Sequence, residues 1–321
     1  MKNLRLIAIL ALAYGLVPMA IYGNNYVVGM IVAALTIAGI ALAWAMLGNL
    51  GGMVSFGHAA FFGVGSYASA LLSMKLGWPI FAAMLAAGMI SAVASIATMP
   101  ALRLRGPYFA LAILAYAEIF RILATEWKDL TGGAGGILSI PRLPVIAGID
   151  FGSKLGGYFV VLTLVLATIA AYHLIRRSPH GLALKAMHDS EDATRVIGVN
   201  ATALKAMMLV VSAFFTGLMG AFNAHYINFL EPDYAFAGLW TTLAIVSAIF
   251  GGYRTLWGPV IGALVVYLVD QLLFKQILPQ GHQIILGGLL GAMVLFSPGG
   301  LTALFARFFG KSGKESSHAS A

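Results

Sequence analysis

Four polar side chains lie inside long apolar runs of the sequence, where ionisable groups are costly. Ser55 and His58 belong to one run, and Glu118 and Arg121 stand three positions apart in another. Either ring nitrogen of a histidine can donate or accept a hydrogen bond, so His58 is a candidate to line a polar route or to bond to a neighbouring helix. Glu118 and Arg121 would share a helix face, which predicts an ion pair, with proton coupling as the alternative.

Other patterns argue against several kinds of chemistry. The chain has no cysteine, which excludes disulfides, thiolate chemistry and cysteine-ligated metals. It has no H-E-x-x-H motif and no close pair of aspartates in the apolar runs, which argues against an intramembrane enzyme. The TGGAGG of residues 131–136 lacks the G-K-[ST] ending of a phosphate-binding loop, and we interpret it as a mobile turn. We therefore expect no catalytic residue, metal or cofactor.

The apolar runs define the class of fold. Of the 321 residues, 60% are hydrophobic and 9% are charged, and soluble domains carry roughly 25% charged residues. A helix that crosses a bilayer needs about 20 apolar residues, and runs of this length recur along the chain. The sequence predicts an all-α, polytopic integral membrane protein of about ten segments, at 5–22, 26–47, 55–73, 79–99, 107–125, 157–175, 205–226, 237–251, 258–274 and 283–297.

The basic residues set the expected orientation. If the first segment is retained as a helix and not removed as a signal peptide, thirteen Lys and Arg residues lie on one side and six on the other. The positive-inside rule makes the richer side the cytoplasm, so both termini are predicted to be cytoplasmic. We attribute the net charge of +8 to this bias and not to nucleic-acid binding. Residues 1–310 are predicted to form one membrane domain, and the polar tail 311–321 to be disordered.

Glycines interrupt the apolar pattern in both halves of the chain. Glycine weakens a helix and permits close backbone approach, and irregular backbone at membrane depth is tolerated only against protein or a water-filled cavity. Residues 61–72 have a weak echo at 256–269, and paired interrupted helices indicate a route through the bundle. The candidate route residues are Ser55, Gly57, His58, Tyr108, Glu118, Gly251 and Gly252.

The segment 176–204 is the only long connection predicted on the cytoplasmic side. Ser178 followed by Pro179 predicts the start of one short helix, and Asp189 is predicted to cap a second that ends at Gly198. Asn200 is predicted to cap the membrane helix that follows. The pair could lie on the lipid surface or dock a cytoplasmic partner; three acidic residues in the segment favour docking.

Five segments resemble one family of membrane proteins. GLALKAMHDSEDATRVIGVN is similar to the cytoplasmic coupling loop of ATP-binding-cassette importer permeases for branched-chain amino acids. SFGHAAFFGVGSYASALL, LRLRGPYFALAILAYAEIF, LTGGAGGI and IFGGYRTLWGPVIGALV resemble the same family in the same order, so the resemblance covers most of residues 45–300. It is closer to the LivM-like than to the LivH-like type. The loop matches the family pattern at Gly181, Ala183, Leu184, Ala186, Glu191, Ala193, Gly198 and Asn200, with Met187, Thr194 and Val199 as mild departures.

The resemblance implies a transport subunit of the bacterial inner membrane and not an enzyme. Its implied partners are a LivH-like second permease, two ATPase subunits of the LivG and LivF type that bind the ATP, and an extracytoplasmic binding protein that selects the amino acid. Alternatives are an importer of urea or short amides and, less favoured, an ion-coupled secondary transporter that uses Glu118 and His58. Coupling to the ATPases is expected at Gly181, Leu184, Ala186, Asp189, Glu191, Ala193 and Gly198.

Overall fold

The computed structural model describes residues 12–104, 106–196, 198–296 and 299–303. Helices form most of it, and the four strands are two residues long. The helices are α1 (Val17–Ile21), α2 (Asn25–Ala45), α3 (His58–Lys75), α4 (Ile80–Ala94), α5 (Pro107–Glu126), α6 (Lys128–Thr131), α7 (Lys154–Arg177), α8 (Pro179–Asp189), α9 (Glu191–Val196), α10 (Ala201–Ile227), α11 (Pro232–Ala235), α12 (Gly238–Gly251), α13 (Gly258–Val269), α14 (Lys275–Ile277) and α15 (His282–Phe296). Turns of π-helix precede α1 at Leu12–Leu16, extend α2 at Met46–Leu50 and join α13 to α14 at Asp270–Phe274, and a 3₁₀ stretch extends α4 at Ser95–Arg103. The strands are β1 (Ile137–Leu138), β2 (Val145–Ile146), β3 (Ile149–Asp150) and β4 (Phe229–Leu230), paired antiparallel as β1 with β4 and β2 with β3.

Seven helical stretches among the described residues are long and apolar enough to cross a membrane. They are Asn25–Leu50, Ile80–Arg103, Pro107–Glu126, Lys154–Arg177, Ala201–Ile227, Pro232–Gly251 and Gly258–Ile277. All seven match predicted segments. Of the other three predicted segments, 55–73 is the less apolar α3, 283–297 is the shorter α15, and 5–22 lies partly outside the described residues. The tail 311–321 lies wholly outside them.

The helices run in alternating directions between two ends of the bundle. Asn49, after α2, donates to the hydroxyl of Tyr172 near the end of α7, so α2 and α7 end on the same side, where α8 and α9 follow. The hydroxyl of Ser212, early in α10, donates to the carbonyl of Ala43, which sets α10 antiparallel to α2. We name the side that holds α8 and α9 the short-helix end. The opposite side, which holds residues 126–153, is the long-loop end.

The two halves of the chain interlock. The hairpin of α3 and α4 packs mainly on α10 of the second half, and the hairpin of α12 and α13 packs mainly on α2 of the first. By these contacts α3 of the first half corresponds to α12 of the second, and α4 corresponds to α13. The corresponding helices run in opposite directions, which is the arrangement of an inverted repeat. The sequence echo had instead paired residues 61–72, in α3, with 256–269, largely in α13. Interrupted helices do occur in both halves, as predicted.

Glycine permits a close helix crossing between α3 and α10. A Cβ on Gly65 would collide with the backbone of Gly217, and a Cβ on Gly220 would collide with the carbonyl oxygen of Phe62. Small residues bring membrane helices into van der Waals contact that larger side chains prevent. The central α2 has 15 of its 21 residues buried, so the interlocked halves enclose it.

The TGGAGG segment is packed, unlike the mobile turn that we had expected. The Thr131 hydroxyl lies 2.8 Å from the carbonyl oxygen of Trp127 and accepts from the Gly133 N–H at 3.2 Å. Gly132, Gly133 and Gly136 have positive φ, and a Cβ on Gly136 would collide with the carbonyl of Leu230. The glycines therefore allow this loop to lie against β4.

Candidate functional site

Residues 51–57, between α2 and α3, are not helical, and their exposure alternates along the chain. Gly51, Met53, Ser55 and Gly57 are buried, and Gly52, Val54 and Phe56 are exposed. The alternation gives this segment a buried inner face and an exposed outer face. Ser55, Gly57 and His58, three of the predicted route residues, all belong to the buried part of the protein.

The inner face is held by hydrogen bonds to two helices. His58 lies 3.2 Å from the hydroxyl of Ser55 through Nδ1 and 2.8 Å from the hydroxyl of Ser212 in α10 through Nε2. The indole N–H of Trp44 in α2 donates to the Ser55 carbonyl at 2.8 Å. Gly57 lies against α5, because a Cβ there would be 2.5 Å from the Ile113 carbonyl oxygen. Of the two roles considered for His58, the structure shows the bond to a neighbouring helix.

The outer face borders a cavity of about 600 Å³ near the short-helix end. Gly52, Met53, Val54 and Phe56 line one wall, and Pro107, Phe109, Ala110 and Leu111 at the start of α5 line another. Glu191 and Lys205, whose side chains form an ion pair at 2.7 Å, also contribute to the lining. Sequence reasoning missed Val54 and Phe56, because the residue types of GGMVSFG do not alternate between apolar and polar as the exposure does.

The helix α5 exposes polar groups along most of its length. Tyr108 is 71% exposed at its start. Farther along, the Arg121 guanidinium donates through Nε to Glu118 at 3.0 Å and through Nη1 to Asp233 of α11 at 2.6 Å. The predicted Glu118–Arg121 ion pair is therefore confirmed, and Asp233 is a third member that local spacing could not reveal. All three side chains are at least one third exposed.

Gly251 and Gly252 lie in a closed helix hairpin. A Cβ on Gly251 would overlap the carbonyl of Gly258, and a Cβ on Gly262 would be 2.7 Å from the Gly251 amide nitrogen. Gly252 has φ +102°, which ends α12. These contacts account for glycine at both positions, and neither residue borders any of the cavities described here.

The two short helices after α7 form as predicted, with one change of cap. The Ser178 side chain accepts from the Gly181 N–H with Pro179 in the first turn, and Asn200 accepts from the Ala203 N–H at 3.0 Å. Asp189 is the last residue of α8, so Ser190, and not Asp189, precedes α9. Backbone bonds explain this: the Ser190 N–H still bonds the Ala186 carbonyl and extends α8 to Asp189.

The coupling candidates divide between two faces of α8. Gly181 and Leu184 are buried, and a Cβ on Gly181 would lie 2.7 Å from the Arg176 carbonyl oxygen. Ala186 and Asp189 are exposed, together with Leu182, which is 73% exposed and was not predicted. Glu191 bonds to Lys205 at the start of α10. Gly198 is exposed with φ +87°, and the side chain of Ala193 lies outside the described part.

Helices of membrane length, a hydrogen-bonded interruption between two of them and a cavity beside that interruption are features of a membrane transport protein. The family model for the branched-chain amino acid transport system permease component matches residues 26–297, and the chain belongs to this family.

Individual relatives agree with the family assignment. The high-affinity branched-chain amino acid transport permease LivM of Salmonella typhimurium is 30% identical over 278 residues, 79% of this chain and 64% of that protein. LivH of Escherichia coli is 25% identical, over 83% of this chain and 91% of that protein. The ribose import permease RbsC of Haemophilus influenzae is 24% identical over 40% of this chain and 41% of that protein. The chain therefore spans less than two thirds of the LivM relative's length, and no solved structure matches it.

Proposed function

We propose that the chain is a transmembrane permease subunit of an ATP-driven importer for branched-chain amino acids in the bacterial inner membrane. Its partners in this proposal are a LivH-like permease, two ATPase subunits and an extracytoplasmic binding protein. The family match and the LivM and LivH relatives support the permease role. The proposed topology has about ten segments, including α3, α15 and the first segment, with both termini and the short-helix end in the cytoplasm.

The exposed ion cluster of α5 and α11 is the observation that carries the proposal. Glu118 stands eleven residues after Pro107, roughly 17 Å along a membrane-length helix at 1.5 Å per residue. Charged groups in contact with lipid at such depth cost about 3 kcal/mol each on insertion scales. The face with Tyr108 and Glu118 is therefore expected to contact water or another protein, as the pathway-facing side of a permease pair would.

The exposed face of α8 supports docking to cytoplasmic ATPases. Leu182, Ala186 and Asp189 recur at helical spacing on its outer side, and the buried Gly181 and Leu184 hold the helix on the bundle. An apolar residue as exposed as Leu182 is suited to a groove on a partner protein. Docking would then act through α8 on α7, to which Ser178 joins it directly.

Reconstituted transport tests this function. The chain is assembled with its sister permease and ATPases in proteoliposomes, and uptake of radiolabelled leucine, urea and ribose is measured with the binding protein outside. We expect leucine uptake that requires internal ATP, at least about tenfold loss for Leu182→Asp, and normal uptake for the exposed control Lys185→Gln. Uptake of urea instead of leucine would change the substrate class. Ion-driven uptake by the chain alone would overturn the proposal.

A further inference from the structure

A second cavity, of about 350 Å³, lies between α2, α10, α12, α13 and α15. It adjoins the ends of α10 and α13 nearest the long-loop end, far from the cavity beside residues 51–57. Small-molecule sites have volumes of about 300 to 1,000 Å³ and are mostly apolar with a few placed polar groups. This cavity has that composition: aliphatic and aromatic walls, with Asn223, Asp270, Lys275 and His282 among its polar residues.

Asp270 is a buried carboxylate in a membrane-length helix. Burying a charge there costs free energy, so such residues are usually paired and belong to functional sites. Its Oδ1 lies 2.8 Å from Nδ1 of His282 in α15. No hydrogen bond to Oδ2 is formed among the described residues, so one carboxylate oxygen remains available to a ligand. A π-helical turn begins at Asp270, and such turns interrupt α-helices frequently at functional sites.

The opposite part of the cavity has oriented polar groups. The Tyr234 hydroxyl donates to Oδ1 of Asn223 at 3.0 Å, which leaves the amide NH₂ of Asn223 as a donor. The indole N–H of Trp240 donates to the Tyr234 carbonyl and fixes that ring. The side chain of Tyr226 also contributes to the lining of this part of the cavity.

From this arrangement we infer that the cavity binds a small zwitterion with a primary ammonium group and an apolar body. The ammonium group bonds to Asp270, the anionic group is attracted by Lys275, and the apolar body contacts the aromatic walls. An amino-acid substrate and the headgroup of phosphatidylethanolamine share this chemistry. The inference of substrate binding rests on the proposed function, whereas binding of the lipid headgroup does not.

A binding experiment on the chain without its partners tests the site. The protein is placed in nanodiscs of phosphatidylcholine and phosphatidylglycerol, neither of which is a primary amine, and binding of radiolabelled leucine is measured. In a second arm, phosphatidylethanolamine is added to the nanodisc lipids, and its enrichment around the protein is measured by native mass spectrometry. We expect one of the two ligands to bind, and Asp270→Asn to weaken that binding at least about tenfold through loss of a charged hydrogen bond.

Two further variants make the outcome decisive. Asp129→Asn removes an exposed carboxylate outside the cavity and should bind as the wild type does. Ala237→Phe, in the cavity lining, should block binding and leaves Asp270 and His282 in place if Asp270→Asn does not fold. Binding of neither ligand, or unchanged binding by folded Asp270→Asn or Ala237→Phe, overturns the inference. Intact ATP-driven uptake with no binding would overturn only this site and not the proposed function.

Discussion

The two glycine-rich interruptions of the bundle are built differently. Between α2 and α3, residues 51–57 are not helical and alternate between buried and exposed positions, and the exposed residues border a cavity of about 600 Å³. Between α12 and α13, residues 252–257 form a turn, and Gly251, Gly258 and Gly262 bring two helix backbones into contact. The first interruption has room on one side, whereas the second is closed by its own backbone.

The comparison shows that a high glycine content does not by itself predict which part of a membrane protein lines a transport route. Close packing needs glycine because a Cβ would collide with backbone, and an open segment needs it to leave the helix. Alternating exposure distinguishes the two cases. It adds Gly52, Val54 and Phe56, on the exposed face of the same segment, to the proposed route residues Ser55, Gly57 and His58.

The largest effect is expected from Gly251→Leu in the closed interruption. The new side chain would overlap the carbonyl of Gly258, so α12 and α13 would have to separate at a cost above about 4 kcal/mol. We expect loss of the monodisperse peak in size-exclusion chromatography after detergent extraction. Gly238→Leu, at the open start of the same helix, is the control and should remain monodisperse. Equal behaviour of both variants would show that the hairpin is not closely packed.

A smaller loss is expected from His58→Ala in the open interruption. The change removes two hydrogen bonds and leaves the hydroxyl of Ser55 short of a partner, at a cost of about 3 kcal/mol. Thermal unfolding in detergent should occur well below the wild-type temperature. His180→Ala, at an exposed histidine of α8, should not move it. A normal unfolding temperature for His58→Ala would contradict the bonding role of His58.

The alternation itself predicts a difference in labelling rate. The chain has no native cysteine, so single cysteines at Met53 and Val54 report on adjacent positions without background. Val54 is 49% exposed and Met53 is 7% exposed. Val54→Cys should react with a small polar maleimide at least about tenfold faster than Met53→Cys, because thiol reactivity requires access. Similar rates at both positions would show that residues 51–57 do not have two distinct faces.

The smallest effect is expected from Gly52→Ala. Gly52 has φ +66°, which costs an L-residue about 1 kcal/mol, but a Cβ there meets nothing closer than 3.8 Å. Thermal unfolding should therefore shift down only slightly. Gly48→Ala, where φ is not positive, should leave stability unchanged or raise it. A collapse of Gly52→Ala like that of Gly251→Leu would remove the distinction between the two interruptions.

Features set by neighbours in sequence were predictable, and features set by distant contacts were not. The caps at Ser178 and Asn200 and the Glu118–Arg121 pair depend on positions three apart, and all three were confirmed. Asp233 joins Arg121 across 112 residues, and the buried Asp270 meets His282 of another helix across a turn. Likewise, the sequence echo matched residues 61–72 with 256–269 by their glycine spacing. The packing of each hairpin on the other half instead makes α12 the structural counterpart of α3.

The junction at Ser178 joins α7 and α8 at a tightly bonded corner, so the two helices are expected to move together. At the end of α7 the Ser178 N–H donates to the Ile175 carbonyl, and at the start of α8 the Ser178 hydroxyl accepts from the Gly181 N–H. Gly181 packs directly against the last turn of α7, where a Cβ would collide with backbone. At 1.5 Å per residue, the 24 residues of α7 form an arm of roughly 36 Å. In the proposed function, a partner protein that docks on α8 would act on α7 through this corner, and the far end of α7 is where Lys154 lies 4.7 Å over the Tyr226 ring. The rigidity of the corner at Ser178 would then determine how much of that motion reaches the long-loop end.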